Sequence, residues 1–196
     1  MLNEVRRMKL AVLFPGIGYH CDKPILYFAR ELAKQVGYDE VINLSYICKA
    51  DNIRGNDKKM REVGEILYVQ AESQLEHVDW QQYEEVLFIS KSIGTAVAAA
   101  YAMRHRIPCK NIWYTPLSQT FDFAPRDGIA FTGTADPWVK NDQIKELCAE
   151  AQIPLYEYEN ANHSLEVGDA VENLRILEDV ITQSREYLLN VFDVIS

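Results

Sequence analysis

The chain has 196 residues, 48% hydrophobic and 25% charged, enough for one domain over 1–196 and the composition of a globular rather than a disordered or fibrous protein. A formal net charge of −9 argues against nonspecific binding to nucleic acid or to anionic membrane surfaces, both of which reward basic patches. Four scattered cysteines, with no CxxC and no cysteine-histidine ligand spacing, argue against a disulfide framework or a zinc site, so reduced thiols in a cytoplasmic protein are expected.

In chain order, the first expected strand covers 9–14. There "MLNEVRRMKLAVLF" carries charge before an apolar run that closes on Pro15-Gly16, a run too short for the core of a signal peptide. A helix is expected over 24–36, with Pro24 suited to its first turn and Asp22 placed to offer a carboxylate to unpaired backbone donors. A strand over 40–44, a long helix over 57–78 and a strand over 85–90 come next. An alanine-rich helix over 93–104 leads to strands over 111–114 and 128–132, then a helix over 137–151 and a strand over 154–158. The closing helix, 169–191, opens on Asp169-Ala170-Val171-Glu172, which resembles a capping box. It carries an apolar stripe of Val171, Leu174, Leu177, Ile181, Leu188 and Val191. That face either packs on its own sheet or is shared with a second copy in a homodimer.

Such alternation points to βαβ crossovers, and so to a three-layer α/β/α sandwich around a mostly parallel sheet of about six strands. No repeat or linker divides it. No stretch approaches the roughly 20 apolar residues of a membrane span, so no membrane insertion is expected.

In such sheets ligands bind at the carboxyl ends of the strands. After the first strand comes "FPGIGYHCDKP", after the third "SKSIG", after the fifth "TGTADPW" and after the sixth "ENANHSLE". These deliver a glycine loop, a serine, an aspartate and a histidine. A serine nucleophile needs an imidazole to take its proton, and the imidazole needs a carboxylate to fix its tautomer. Serine, acid, histidine is the order of a nucleophile-elbow hydrolase.

On these residues the chain resembles the α/β-hydrolase superfamily in a small form without a lid, from Lys9 to the final helix. The resemblance implies Ser92 as nucleophile, Asp136 as the acid of the triad and His163 as general base. It further implies the backbone amides of Ile93 and Ile17 as an oxyanion hole. The usual G-x-S-x-G stands here as Ser90-x-Ser92-x-Gly94, with serine meeting the first small-residue requirement. Pro15-Gly16 replaces the frequent His-Gly of the oxyanion loop. The first strand matches the third of the family, so two N-terminal strands are missing from the pattern.

Each assignment competes with a plainer role. Ser92 could be a helix N-cap, Asp136 a cap ahead of Pro137, and His163 a surface histidine. Asp122, Asp127 and Asp142 lie further from strand ends, and His77 and His105 fall in or at the end of helices, where solvent exposure is expected. His20 and Cys21 are adjacent, but no elbow surrounds Cys21, so a substrate-wall role for His20 or none is expected. Lys91 is placed either at the pocket mouth, where it would favour an anionic substrate, or in solvent. Gly16, Tyr19, Trp138 and Phe121 sit in loops on the same edge and are candidates to line an acyl pocket.

The resemblance thus implies hydrolysis of a carboxylic ester without metal or organic cofactor, with thioester hydrolysis or acyl transfer as alternatives on the same triad. The segment 115–127 is too short for a helical cap, which favours a small or exposed substrate. A non-catalytic binding protein with a hydrolase shell, or a nucleotide-binding α/β module, are the readings from other classes. The second lacks a Walker A motif and the third glycine of G-x-G-x-x-G.

Overall fold

A computed structural model describes residues 8–49 and 53–189. Residues 1–7, and the end of the last helix expected at Val191, lie outside the described residues. The elements run β1 (Met8–Phe14), α1 (Pro24–Gln35), β2 (Glu40–Asn43), α2 (Asp57–Leu75), β3 (Tyr83–Lys91), α3 (Ile93–His105), β4 (Lys110–Tyr114), β5 (Gly128–Gly133), α4 (Asn141–Glu150), β6 (Leu155–Tyr158) and α5 (Ala170–Leu188). Two short 3-10 segments, Trp80–Gln82 and Ser118–Phe123, join them.

The six strands form one sheet of order β2-β1-β3-β4-β5-β6, and every neighbouring pair is parallel. The central strands β1, β3, β4 and β5 are buried along most of their length because both faces are covered, whereas the edge strands β2 and β6 are only partly buried. On one face α2 and α3 close over Leu10, Val12, Phe14 and Phe88. A neighbouring cluster there sets Ile144 and Cys148 of α4 against Trp113 and Ala130. On the other, α1 and α5 close over Ala11, Leu13, Leu87, Ile89, Ile112 and Phe131. Each fully buried leucine, isoleucine or phenylalanine contributes roughly 1.5–3 kcal/mol over the exposed state.

α3 is buried without a break from Ile93 to Tyr101, so it lies between the sheet and its neighbours rather than on the surface. Its alanines permit that, since small side chains let a helix axis approach a sheet closely. The Ser118–Phe123 segment packs against it: Leu117 is buried in the same cluster, and the hydroxyls of Thr95 and Thr120 bond at 2.6 Å. Arg61 of α2 pairs with Asp122, and Gln119 donates to Asp57 at 2.6 Å, which ties the segment down on the helices.

Capping differs from expectation at one end and agrees at another. Asp169 accepts from the N–H groups of Val171 and Glu172, as its sequence signature implies. Asp22 caps nothing; Lys23 holds the N-cap position of α1, and the Asp22 carboxylate pairs with Arg30 about two turns into the helix at 3.2 Å. Among the described residues no helix is long and apolar enough to cross a membrane.

Candidate active site

Ser92 alone connects β3 to α3. Its backbone takes φ 57° and ψ −130°, a region that non-glycine residues occupy at a cost of about 1–3 kcal/mol. The turn is this sharp because α3 nearly touches β1. A Cβ on Gly94 would stand 2.3 Å from the carbonyl oxygen of Phe14 and 2.4 Å from that of Pro15, distances no side chain can adopt. Ser90 is fully buried and donates to the Ile112 carbonyl at 3.4 Å, so its small side chain fills space beside the turn.

Ser92 sits at the N-cap position of α3, yet its side chain caps no backbone amide. Oγ lies instead 2.7 Å from His163 Nε2. His163 Nδ1 lies 2.6 Å from Asp136 Oδ2. A carboxylate only accepts, so Nδ1 carries the proton and Nε2 is left bare to accept from the serine hydroxyl. The Asp136 side chain is 1% exposed, and its other oxygen accepts from the Trp138 N–H at 2.8 Å.

Loops after β5 and β6 hold these two groups in register by bonding to each other. Thr134 N–H donates to the Tyr158 carbonyl at 3.0 Å, and Ala135 N–H to that of Ala161 at 3.0 Å. Asn160 N–H donates to Thr134 Oγ1 at 2.8 Å. Asn162 then tightens the histidine turn, its Oδ1 accepting from Ser164 N–H at 2.7 Å and Glu166 N–H at 3.2 Å. Burial pulls the His163 pKa below its ordinary value, and the charge of Lys91 adds to that effect. Asp136 opposes both. The imidazole is therefore neutral near pH 7, the state a general base requires.

The loop after β1 passes over Ser92. Gly16 and Tyr19 close it with a reciprocal pair of backbone bonds, at 3.2 and 3.3 Å. A Cβ on Gly16 would come 3.1 Å from Ser92 Cβ, which shows how near the loop lies. Among the described residues the N–H groups of Ile17 and Ile93 have no acceptor.

No family model matches the chain, and no curated protein matches it in sequence. Solved structures do. A protein from Agrobacterium tumefaciens ascribed to the α/β hydrolases is 16% identical with a TM-score of 0.65, the match covering 97% of this chain and 88% of that one. An esterase from Pyrococcus furiosus is 13% identical with a TM-score of 0.62, covering 93% of this chain and 82% of that one. A serine hydrolase without a lid from Xanthomonas campestris is 15% identical with a TM-score of 0.61, covering 93% and 81%. The chain has the α/β-hydrolase fold.

Placed on that fold, the strand order is that of a minimal α/β hydrolase, with no counterpart of the first two family strands among the described residues. The helix expected from residue 137 starts at Asn141, four residues late. Asp136 Oδ2 faces His163 while Oδ1 accepts from the Trp138 N–H in a local turn, and Lys140 holds the N-cap position of the helix. The residues between carry Trp138 across to His163, where its ring centroid lies 5.4 Å from the imidazole at 32°.

Three side chains on the loop edge sit otherwise than expected. Lys91 is neither at a pocket mouth nor in solvent: it is 1% exposed. β3 runs one residue further than the sequence suggests, so Lys91 continues the inward face of Leu87 and Ile89. His20 lies out on the surface, its side chain 65% exposed and its Nδ1 accepting from Asp22 N–H at 3.3 Å. Tyr19 is half-buried, and its hydroxyl is engaged at the start of α1, accepting from Ile25 N–H at 3.3 Å. Cys21 is buried, its thiol donates to the Leu44 carbonyl at 3.4 Å, and burial pushes its pKa up to about 12, so it offers no thiolate. His105 is stacked on Tyr101 and paired with Glu72 at 2.8 Å. Thr115, which the sequence reading passed over, is buried against the His163 backbone. A threonine directly after a strand on the site edge was the available signal.

Proposed function

We propose that this protein is a serine hydrolase that cleaves a small or exposed carboxylic ester through an acyl-enzyme. The carrying observation is the unbroken line Ser92 Oγ, His163 Nε2, His163 Nδ1, Asp136 Oδ2, with both contacts between 2.6 and 2.7 Å. Ser92 Oγ attacks the ester carbonyl carbon while its proton passes to His163 Nε2. The carbonyl oxygen takes up negative charge, and the unpaired amides of Ile17 and Ile93 are the groups to receive it. The C–O bond of the alcohol breaks, and His163 returns the proton to the leaving oxygen. A water then attacks the acyl-enzyme, giving its proton to His163. Ser92 regains its proton as the acid departs.

Removal of one oxyanion donor costs about 3–4 kcal/mol of transition-state stabilisation in related chemistry. Asp136 holds the imidazole in the productive tautomer and stabilises its charged form. No metal or organic cofactor enters these steps. The 3-10 segment between β4 and β5 folds down on α2 and α3, which supports an open site and hence a small or presented substrate. The esterase and lid-less hydrolase among the structural neighbours support the same reading. A strained serine aimed at a histidine disfavours a binding shell without chemistry, which would need neither.

A fluorophosphonate probe tests the reading. It is expected to label the wild-type protein at Ser92 and to leave Ser92→Ala unmodified. Labelling at another residue would overturn the site, and no labelling of folded protein would favour the binding shell. A panel of esters and thioesters of rising acyl length then separates ester hydrolysis from thioester hydrolysis and acyl transfer.

A further inference from the structure

Lys91 is a buried cation that the proposed reaction does not use. Packing alone would favour an apolar residue at such a position, because lysine is almost never fully buried unless paired. Here no carboxylate touches the ammonium among the described residues. Nζ donates instead to the backbone carbonyl of His163 at 2.6 Å and to Thr115 Oγ1 at 2.5 Å. Thr115 Oγ1 donates in turn to the same His163 carbonyl at 3.2 Å. The Tyr19 ring covers the ammonium, its centroid 5.0 Å from Nζ. Thr115 is itself held at φ 47°, a rare conformation for a β-branched residue. Two donors from two different strand ends therefore converge on one carbonyl oxygen, that of the base.

We propose that Lys91 and Thr115 form a clamp on the His163 backbone carbonyl, which makes Lys91 a positioning residue that sets both the placement and the charge state of the imidazole. The clamp deepens the triad reading and rests on it. Around Lys91 the titratable groups are Asp136 on the loop after β5, His163 and Glu166 on the loop after β6, and Tyr19 on the loop after β1. Burial pulls the Lys91 ammonium down to about 7, opposed first by Asp136 and then by Glu166. A neutral amine still carries two N–H donors, so both bonds of the clamp survive deprotonation and only the charge is lost. The two effects are thus separable. The hydrogen bonds hold the imidazole at every pH, whereas the positive charge repels an imidazolium and keeps the base neutral under more acid conditions.

The test combines Lys91→Met, Lys91→Gln and Thr115→Val. One readout is the rate of fluorophosphonate labelling at Ser92 across pH. The other is an NMR titration of the His163 ring in a Ser92→Ala background, which needs no turnover. Lys91→Met is expected to lower the labelling plateau by about 10²-fold, the scale of a misplaced catalytic group, and to move the acid limb and the His163 titration to higher pH. Lys91→Gln keeps a donor without the charge, so it should recover much of the plateau while leaving the limb moved. Thr115→Val should lower the plateau and leave the limb in place. Should Lys91→Met fail to fold, Lys91→Gln and Thr115→Val carry the test by themselves. A plateau that falls only with thermal stability, with an unmoved His163 titration in Lys91→Gln, would overturn the clamp and leave packing. Continued labelling of Ser92→Ala would instead sink the triad reading.

Discussion

The turn after β3 and the loops after β5 and β6 converge on one site but are held by different forces. At the elbow the constraint is steric: backbone meets backbone at Gly94, and the shape of the turn follows from what does not fit. At the acid and histidine loops the constraint is polar. Thr134, Ala135, Asn160 and Asn162 tie one loop to the other through hydrogen bonds, and Lys91 and Thr115 reach in from behind. A steric constraint selects residue type sharply and tolerates little. A polar constraint distributes over several side chains, each of which contributes a modest share.

The comparison breaks hardest at Asp136. Asp136→Asn keeps the size of the side chain but releases the tautomer, so kcat should fall by about 10⁴-fold while the melting temperature stays nearly unchanged. Steady-state kinetics on an activated ester checks this. Gly94→Ala comes next and attacks the steric side. Its methyl group must push α3 away from β1, which should lower stability by about 1–3 kcal/mol, as overpacking does, and slow labelling of Ser92 by about 10²-fold. Chemical denaturation and labelling together read both effects, and an unchanged labelling rate would mean that the elbow yields more easily than its contacts imply. Asn162→Ala removes an acceptor from two exposed loop amides and should cost about 1 kcal/mol, or roughly 2–4 °C in Tm. The smallest effect is in the pH profile. Because the His163 pKa is lowered, the acid limb of kcat/KM should fall below the ordinary histidine value of 6.5, and a limb above it would contradict the burial of the ring.

The same contrast explains what could be read from the residues alone. The strand-helix alternation, and the serine, aspartate and histidine at strand ends, follow from local pattern, because the central strands are largely apolar and each site residue lies within five residues of a strand end. The elbow was legible for the steric reason, since glycine two positions after a serine at such a junction has few other uses. Lys91 departs from its expected place because the apolar run ends at Ser90 while the strand does not. Once β3 is carried one residue further, alternation puts Lys91 on the inner face with Leu87 and Ile89. The late start of α4 was illegible because Asp136 before Pro137 has the local signature of a cap, whereas its carboxylate closes a turn on Trp138 and meets His163 from another loop. Asp22 misled in the same way, since its partner Arg30 lies a full eight residues on. Long-range polar partners leave no mark on local sequence.

The all-parallel order of the sheet also governs when the site comes into being. Parallel neighbours cannot be joined by a tight hairpin, so each ladder waits for a crossover, and β1 must bypass β2 and α2 to pair with β3. Chains with such nonlocal pairing pay loop-closure entropy before contacts reward it, and they fold slowly for their size. Ser92, Asp136 and His163 follow the third, fifth and sixth strands, and they meet only when β3, β4, β5 and β6 lie side by side. The contact of Ser92 with His163 and Asp136 is therefore a late product of folding, absent from any intermediate in which the last strand has not yet docked.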